Sequence, residues 1–436
     1  MSDFYAKRIR FQNGERTSVL NRRRGLPVQE AVLFLNQYRT KGRKANTIHQ
    51  VCSTLALLHR ELSAMRSEDE PQGIDPVKRF EVGRFLSISE LSRLAEIAQF
   101  HVADLEEEDT SPARARVVSL ESVRMRRKSK APERVPVDVA TRANRIRYFA
   151  AYLKFVSEYV EARLSGDPAT QLAAETKLGL KSLLAHVPRV PKRAKLGART
   201  GLSEEDQNRV LATVHPDSSA NPWKHPFVRV RNWLIVVLLL ATGMRKGELL
   251  GLQIGDLRTR EPKLLIVRRA DADSDARTDQ PVAKTNDREI ELAAPIMSRL
   301  WTFINTERRA IKRARRIPQV IVSDEGDALS ISSIDKLFRE LREACPGLAG
   351  SLTSHVMRHT WNERFSEQAD AMGLSDAVEE KARATQQGWV EGSKMGATYT
   401  RRHTERNPVN FIATASTVPS RSASRASGKR SRTFGG

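Results

Sequence analysis

Cysteine is nearly missing from this chain. Cys52 and Cys345 are the two in 436 residues. No disulfide framework or cysteine-built metal site is expected, and a reduced cytoplasmic setting fits. Long apolar runs are missing too. The longest spans Trp233 to Ala241, well short of the roughly 20 residues a bilayer crossing needs. It predicts a buried helix, and no membrane partner is expected. The opening MSDFYAKRIRF has no apolar stretch behind its charges, so no secretory signal is expected. Acid is in deficit: 52 Asp and Glu face 74 Lys and Arg, a net charge of +22. A polyanion, nucleic acid before membrane, is the natural partner. The second half also lacks a Walker-type glycine loop, an HExxH pair and a tight carboxylate cluster of the two-metal kind. A reaction that cuts nucleic acid is, on this inventory, expected to proceed without metal, which leaves a side chain as nucleophile.

Enough apolar material is present, 39 %, for ordinary cores, and the length predicts two domains with connectors. Residues 1–27 are basic, a DNA-contacting arm or a solvated tail. Residues 28–185 predict a helical domain: Leu55, Leu58 and Leu62 recur at helical spacing, and Ser87 with Glu90 has the form of a capping box. Tyr148, Tyr152, Phe155 and Tyr159 lie on one stripe of a helix near 138–164, read as core rather than as a base-stacking platform. A loop insertion is expected near 104–136, where an acidic cluster runs into a basic one. Residues 186–201 (HVPRVPKRAKLGARTG) predict a basic linker. Residues 202–415 read as mixed helix and strand. Helices are expected near 203–214, 228–241, 246–252, 295–315, 332–344, 355–370 and 375–388, with strands at 264–268 and around Ile290 and Leu292. The Ser-, Arg- and Gly-rich 416–436 predicts a disordered basic tail. The fold class expected is mostly α with a small β-sheet.

Of six tyrosines, only Tyr399 lies beyond residue 160, in the polar stretch GSKMGATYTRRH. Upstream, ATGMRKGELLGL ends an apolar helix in Thr-Gly and delivers Arg245, with Glu248 three residues on. Further along, SHVMRHTW sets His355 and Arg358 three apart on a helix, where imidazole and guanidinium can both donate to one phosphate.

These three segments, with Gly388-Trp389 ahead of Tyr399, resemble the tyrosine recombinases, or phage-type integrases, over roughly 202–410. Region 28–185 is similar to their helical core-binding domain in pattern alone, and 202–415 to their mixed α+β catalytic domain. On this resemblance Arg245 is the first catalytic arginine and Lys284 the hairpin lysine, since Lys-Thr followed by Arg288, Ile290 and Leu292 has the family's form. His355 and Arg358 are the His-x-x-Arg pair, Trp389 takes the fifth position, and Tyr399 is the nucleophile. Glu248 is the acidic residue supporting the first arginine. Gly247 stands where the family often has Ser. Lys263 is the alternative lysine.

The resemblance implies site-specific DNA recombination without metal, ATP or other cofactor. Tyr399 would form a 3′-phosphotyrosyl link while Arg245 and Arg358 hold the non-bridging oxygens. His355 would help move the tyrosine proton, Lys284 protonate the leaving 5′-oxygen, and the Trp389 N–H donate to the phosphate. Double-stranded DNA is the implied partner, with self-assembly into a tetramer on paired sites and accessory DNA-bending or element-encoded proteins. The implied setting is a mobile genetic element in the cytoplasm, at the nucleoid. Two alternatives stay open: a type IB topoisomerase-like relaxer, and a non-catalytic DNA-binding protein of the same fold.

Overall fold

The structure is a computed structural model that describes residues 3–23, 25–101, 135–189, 201–283, 285–348 and 352–390. The chain divides into two compact units: Met1–Ala198 with Asp271–Gln280, and Arg199–Ala270 with Pro281–Gly436. Both are mostly helical with a small sheet. Residues 102–134, 190–200, 284 and 391–436 lie outside the described residues. With them lie the expected loop insertion, most of the linker, Lys284, Tyr399 and the tail.

The first unit opens with a hairpin, β1 (Phe4–Arg10) and β2 (Arg16–Arg22), paired antiparallel from Phe4 opposite Arg22 to Arg10 opposite Arg16. Over these residues the basic stretch is a paired hairpin packed on the helix Ala45–Ala64. Alternation turns Phe4, Ala6 and Leu20 onto the core while Tyr5 and Lys7 face water. Six described helices follow: α1 (Gln29–Thr40), α2 (Ala45–Ala64), α3 (Pro76–Glu81), α4 (Ile88–Ile97), α5 (Val139–Glu161) and α6 (Asp167–Ala185). The capping box of Ser87 and Glu90 starts α4, and the Asp138 carboxylate accepts the first N–H groups of α5. The aromatic stripe of α5 is core. Tyr152 is fully buried with its hydroxyl 2.9 Å from His59 Nε2, and Tyr148, Phe155 and Tyr159 pack beside it.

Asp271–Gln280 belongs to this unit although both its ends join the other. Arg16, 3 % exposed, donates through Nε to the Arg277 carbonyl (2.8 Å), through Nη1 to that of Gly14 (2.6 Å) and through Nη2 to those of Ala272 and Asp275.

In the second unit Ser203 caps α7 (Glu204–Val214), accepting from the Asp206 N–H at 3.1 Å. The long apolar run becomes α8 (Pro226–Thr242), whose Leu234, Ile235, Val236, Leu238 and Leu239 are fully buried. It packs against α7, against α10 (Ala294–Phe303) and against α12 (Ser354–Ala371). Between them come α9 (Lys246–Gly251), an antiparallel sheet in the order β3 (Leu257–Arg258), β4 (Lys263–Ile266), β5 (Arg288–Glu291), and α11 (Ile331–Ala344). The last described helix is α13 (Asp376–Gln387). The helix expected over 295–315 is shorter. After Phe303 the backbone widens into a π turn, Ile304–Arg308, that carries Arg308 inward, where it donates to the Gln319 carbonyl at 2.9 Å.

Candidate active site

Helix α8 ends because Gly243 takes the left-handed conformation, φ 62°. A Cβ there would lie 2.8 Å from the Trp361 ring, so glycine is needed on two counts. The turn delivers Arg245 as the N-cap of α9. Its backbone N–H donates to Glu248 Oε2 at 3.0 Å, and its Nη1 lies 3.3 Å from Glu248 Oε1. The same carboxylate accepts from the Thr285 hydroxyl (2.7 Å) and from Arg288 Nη2 (2.8 Å). Burial alone would raise the Glu248 pKa. The charge of Arg288 and the hydrogen bonds from Arg288, Thr285 and the Arg245 N–H outweigh it, and the carboxyl sits below its ordinary value.

Arg288 reaches further. Its Nη1 donates to the Thr285 hydroxyl at 2.9 Å and its Nε to the Gln386 carbonyl at 2.7 Å, at the end of α13. That helix stops at Gly388, φ 63°, whose carbonyl accepts the Asn286 N–H at 3.1 Å. Trp389 follows directly.

On α12, capped by Thr353, His355 lies exposed and Arg358 is 1 % exposed. Arg358 donates from Nη1 to the Gly243 carbonyl at 2.7 Å, two residues before Arg245. Its guanidinium carbon stands 5.7 Å from the centroid of the Trp389 ring. The His355 ring meets that of buried His359 edge-on, centroids 4.9 Å apart.

Four of the expected site residues therefore fall in described parts of one unit. Arg245, Arg358 and Trp389 are linked through the Gly243 turn and the ring contact, and His355 is one turn before Arg358. Lys284 and Tyr399 lie outside the described residues. Thr285, next after Lys284, is bonded to Glu248. Lys263, on β4, is paired with Glu261 at 2.9 Å. Gly247 meets nothing closer than 3.6 Å at its would-be Cβ, so a side chain fits where the family often has Ser. The residues the sequence did not single out are Thr285 and Arg288 as holders of Glu248. The signal was there in Lys-Thr followed by Arg288, but it marked the lysine. Among the described residues no three His, Cys, Asp or Glu side chains group as metal ligands, and no helix is long and apolar enough to cross a membrane.

Comparison with solved structures finds similarity to XerA recombinase, at 16 % identity over 90 % of this chain and 99 % of that one, TM-score 0.36. It also finds the Tn1549 transposon integrase in complex with transposon right end DNA, at 16 % identity over 88 % and 100 %, TM-score 0.46. A lambda integrase dimer bound to a COC′ core site matches at 11 % identity over 92 % and 79 %, TM-score 0.45. No curated protein sequence matches. Residues 204–379 match the phage integrase family. That stretch carries Arg245, Glu248, His355 and Arg358, and it is this segment of the chain, within the second unit, that is similar to the phage integrase family.

Proposed function

We propose that this chain cuts and rejoins double-stranded DNA at a specific site through a 3′-phosphotyrosyl intermediate, with neither metal nor ATP. The observation that carries the reading is the Gly243 turn. It presents Arg245 while its carbonyl takes a hydrogen bond from Arg358, whose guanidinium also stands beside the indole of Trp389. Two guanidinium groups gathered at one turn, Arg245 from the turn itself and Arg358 from α12, suit the two non-bridging oxygens of a phosphodiester, whose charge grows in the transition state.

The Tyr399 oxygen attacks phosphorus and forms the new P–O bond. The bond to the 5′-oxygen breaks, and that oxygen leaves as a hydroxyl with a proton from Lys284. Tyrosine has an ordinary pKa of about 10, so His355 and the cationic surroundings assist loss of its proton. The 5′-hydroxyl of a second strand then reverses the step and frees Tyr399. One phosphoester replaces another, so no external energy source is required. Exchange between two duplexes calls for four copies on paired sites, with accessory DNA-bending or element-encoded proteins as further partners, at the nucleoid.

Tyr399→Phe removes one oxygen and little volume. On a nicked substrate it should bind DNA yet give no denaturant-resistant protein–DNA adduct, while wild type gives the adduct in EDTA. An adduct surviving in the variant, or a cut that EDTA abolishes, overturns the mechanism. Joining of strands from two separate duplexes separates recombination from simple relaxation.

A further inference from the structure

The reaction above needs a positive Arg245, yet Arg245 sits against a fully buried carboxylate. A lone Glu248–Arg245 pair would cancel the charge the phosphate is to meet. The cluster is not a pair: two guanidiniums share one carboxylate, which leaves a net single positive charge. Their exposures differ. The Arg288 side chain is 5 % exposed and Glu248 0 %, while that of Arg245 is 26 % exposed. Arg288 is also the closer partner, 2.8 Å against 3.3 Å. The surplus charge therefore sits on the arginine that solvent, or DNA, can reach.

We propose that Arg288 is a positioning residue for strand cleavage: it neutralises Glu248 so that Arg245 keeps its charge for the DNA phosphate, and it fixes the turn that carries Trp389. This rests on the reaction proposed above. The second half follows from the Nε bond to the Gln386 carbonyl, two residues before the left-handed Gly388. A Cβ at Gly388 would stand 2.9 Å from Arg288 Nη1 and from Thr285 Cβ, so turn and guanidinium are in close register. No other side-chain type reaches three acceptors in this way: a lysine carries the charge without the fork. The charged groups facing Glu248 among the described residues are Arg245 from its own segment and Arg288 from β5. Lys246, next to Arg245, is turned away to Asp335.

The test compares Arg288→Met, Arg288→Lys and Arg288→Met with Glu248→Gln, by cleavage of nicked DNA and by Tm, across pH 5–9. In Arg288→Met the buried carboxylate has lost its main counter-ion, so its pKa should rise above the unfolded value. The resulting destabilisation is then present at high pH and shrinks as pH falls towards 5, and the double variant should lack that trend. Cleavage by Arg288→Met should fall about tenfold or more near neutrality, with a pH limb absent from wild type. Arg288→Lys should be slow at every pH without the limb, since the charge stays and the tie to Gln386 goes. Wild-type pH profiles of both Tm and cleavage in Arg288→Met overturn the proposal, as does a limb that persists in the double variant. If Arg288→Met does not fold, folding of the double variant supports the coupling, because both buried charges leave together. Failure of both to fold assigns Arg288 to the scaffold and overturns it. A wild type that yields no Tyr399 adduct is a failure of the reaction, and the Tm comparison still decides the Arg288–Glu248 pairing.

Discussion

At the scale of single residues, the reaction proposed above turns on which lysine would give the proton to the leaving 5′-oxygen. An alkoxide is a poor leaving group, its conjugate acid having a pKa near 15 or above, and a general acid contributes about 10²–10⁴-fold to its departure. Lys263 is ill suited. Its ammonium is hydrogen-bonded to Glu261 and lies 4.0 Å from Glu289, and that pairing, the Glu261 bond foremost, raises its pKa and makes it a weaker acid. Lys284 is the candidate. Replacing the bridging 5′-oxygen by sulfur removes the need for an acid, because a thiol has a pKa of about 8.5. Lys284→Ala should then be slow on the oxygen substrate and largely restored on the sulfur one, while Arg245→Ala should stay defective on both. Equal defects of Lys284→Ala on both substrates would clear Lys284 and turn attention to Lys263. Much of this site is legible in the residues alone: Arg245 after a Thr-Gly helix end and His355 with Arg358 at helical spacing announce themselves locally. Arg288 does not. Two of its three acceptors stand 40 and 98 positions away in the chain, and a charged residue opening a strand is ordinarily turned to water.

At the scale of elements, helices were readable from periodicity and caps, and in the second unit their observed bounds fall within a few residues of the expected ones, except over 295–315, where the α-helix ends at Phe303. The hairpin β1–β2 was not. Its inward set mixes Phe4, Ala6 and Leu20 with a buried Arg16, so the alternation is hidden under net basic charge. Arg16 is buried because it satisfies backbone carbonyls of 271–280, which hydropathy cannot foresee. Burial lowers its pKa, against the pull of Asp275 and Asp271. The fit is tight: Gly14, φ +86°, would place a Cβ 2.4 Å from the Asp271 carbonyl oxygen. Arg16→Met strands several buried carbonyls, at about 1–3 kcal/mol each. Opening of 271–280 should become easier, and trypsin should cut after Arg277 roughly tenfold faster or more, since cleavage tracks the open population. Gly14→Ala should move the rate the same way. An unchanged rate in Arg16→Met would show that the segment is held by something other than this guanidinium.

At the scale of the whole molecule, the net charge of +22 bears on the proposed encounter with DNA more than on the fold. Charge is long-ranged and sequence-readable, which is why a nucleic-acid partner follows from composition while no DNA site does. The five basic residues of 416–436, with no acid among them, can be separated from the chemistry because they lie beyond every proposed site residue. Each phosphate neutralised releases counterions and contributes about −0.9 to the slope of log K against log salt on duplex DNA. Removing 416–436 should therefore flatten that slope by up to about 4.5 and weaken binding to unrelated duplexes, most visibly near 50 mM salt. The rate of Tyr399 adduct formation at saturating protein and low salt should not change, since no group that touches the phosphate is lost. Binding isotherms at several salt concentrations, paired with single-turnover cleavage, test both halves together. If the truncated chain keeps the full slope, the tail does not neutralise phosphates. If its adduct forms slowly even when DNA is saturated, the tail takes part in assembling the reactive complex, and its charge is not its main contribution.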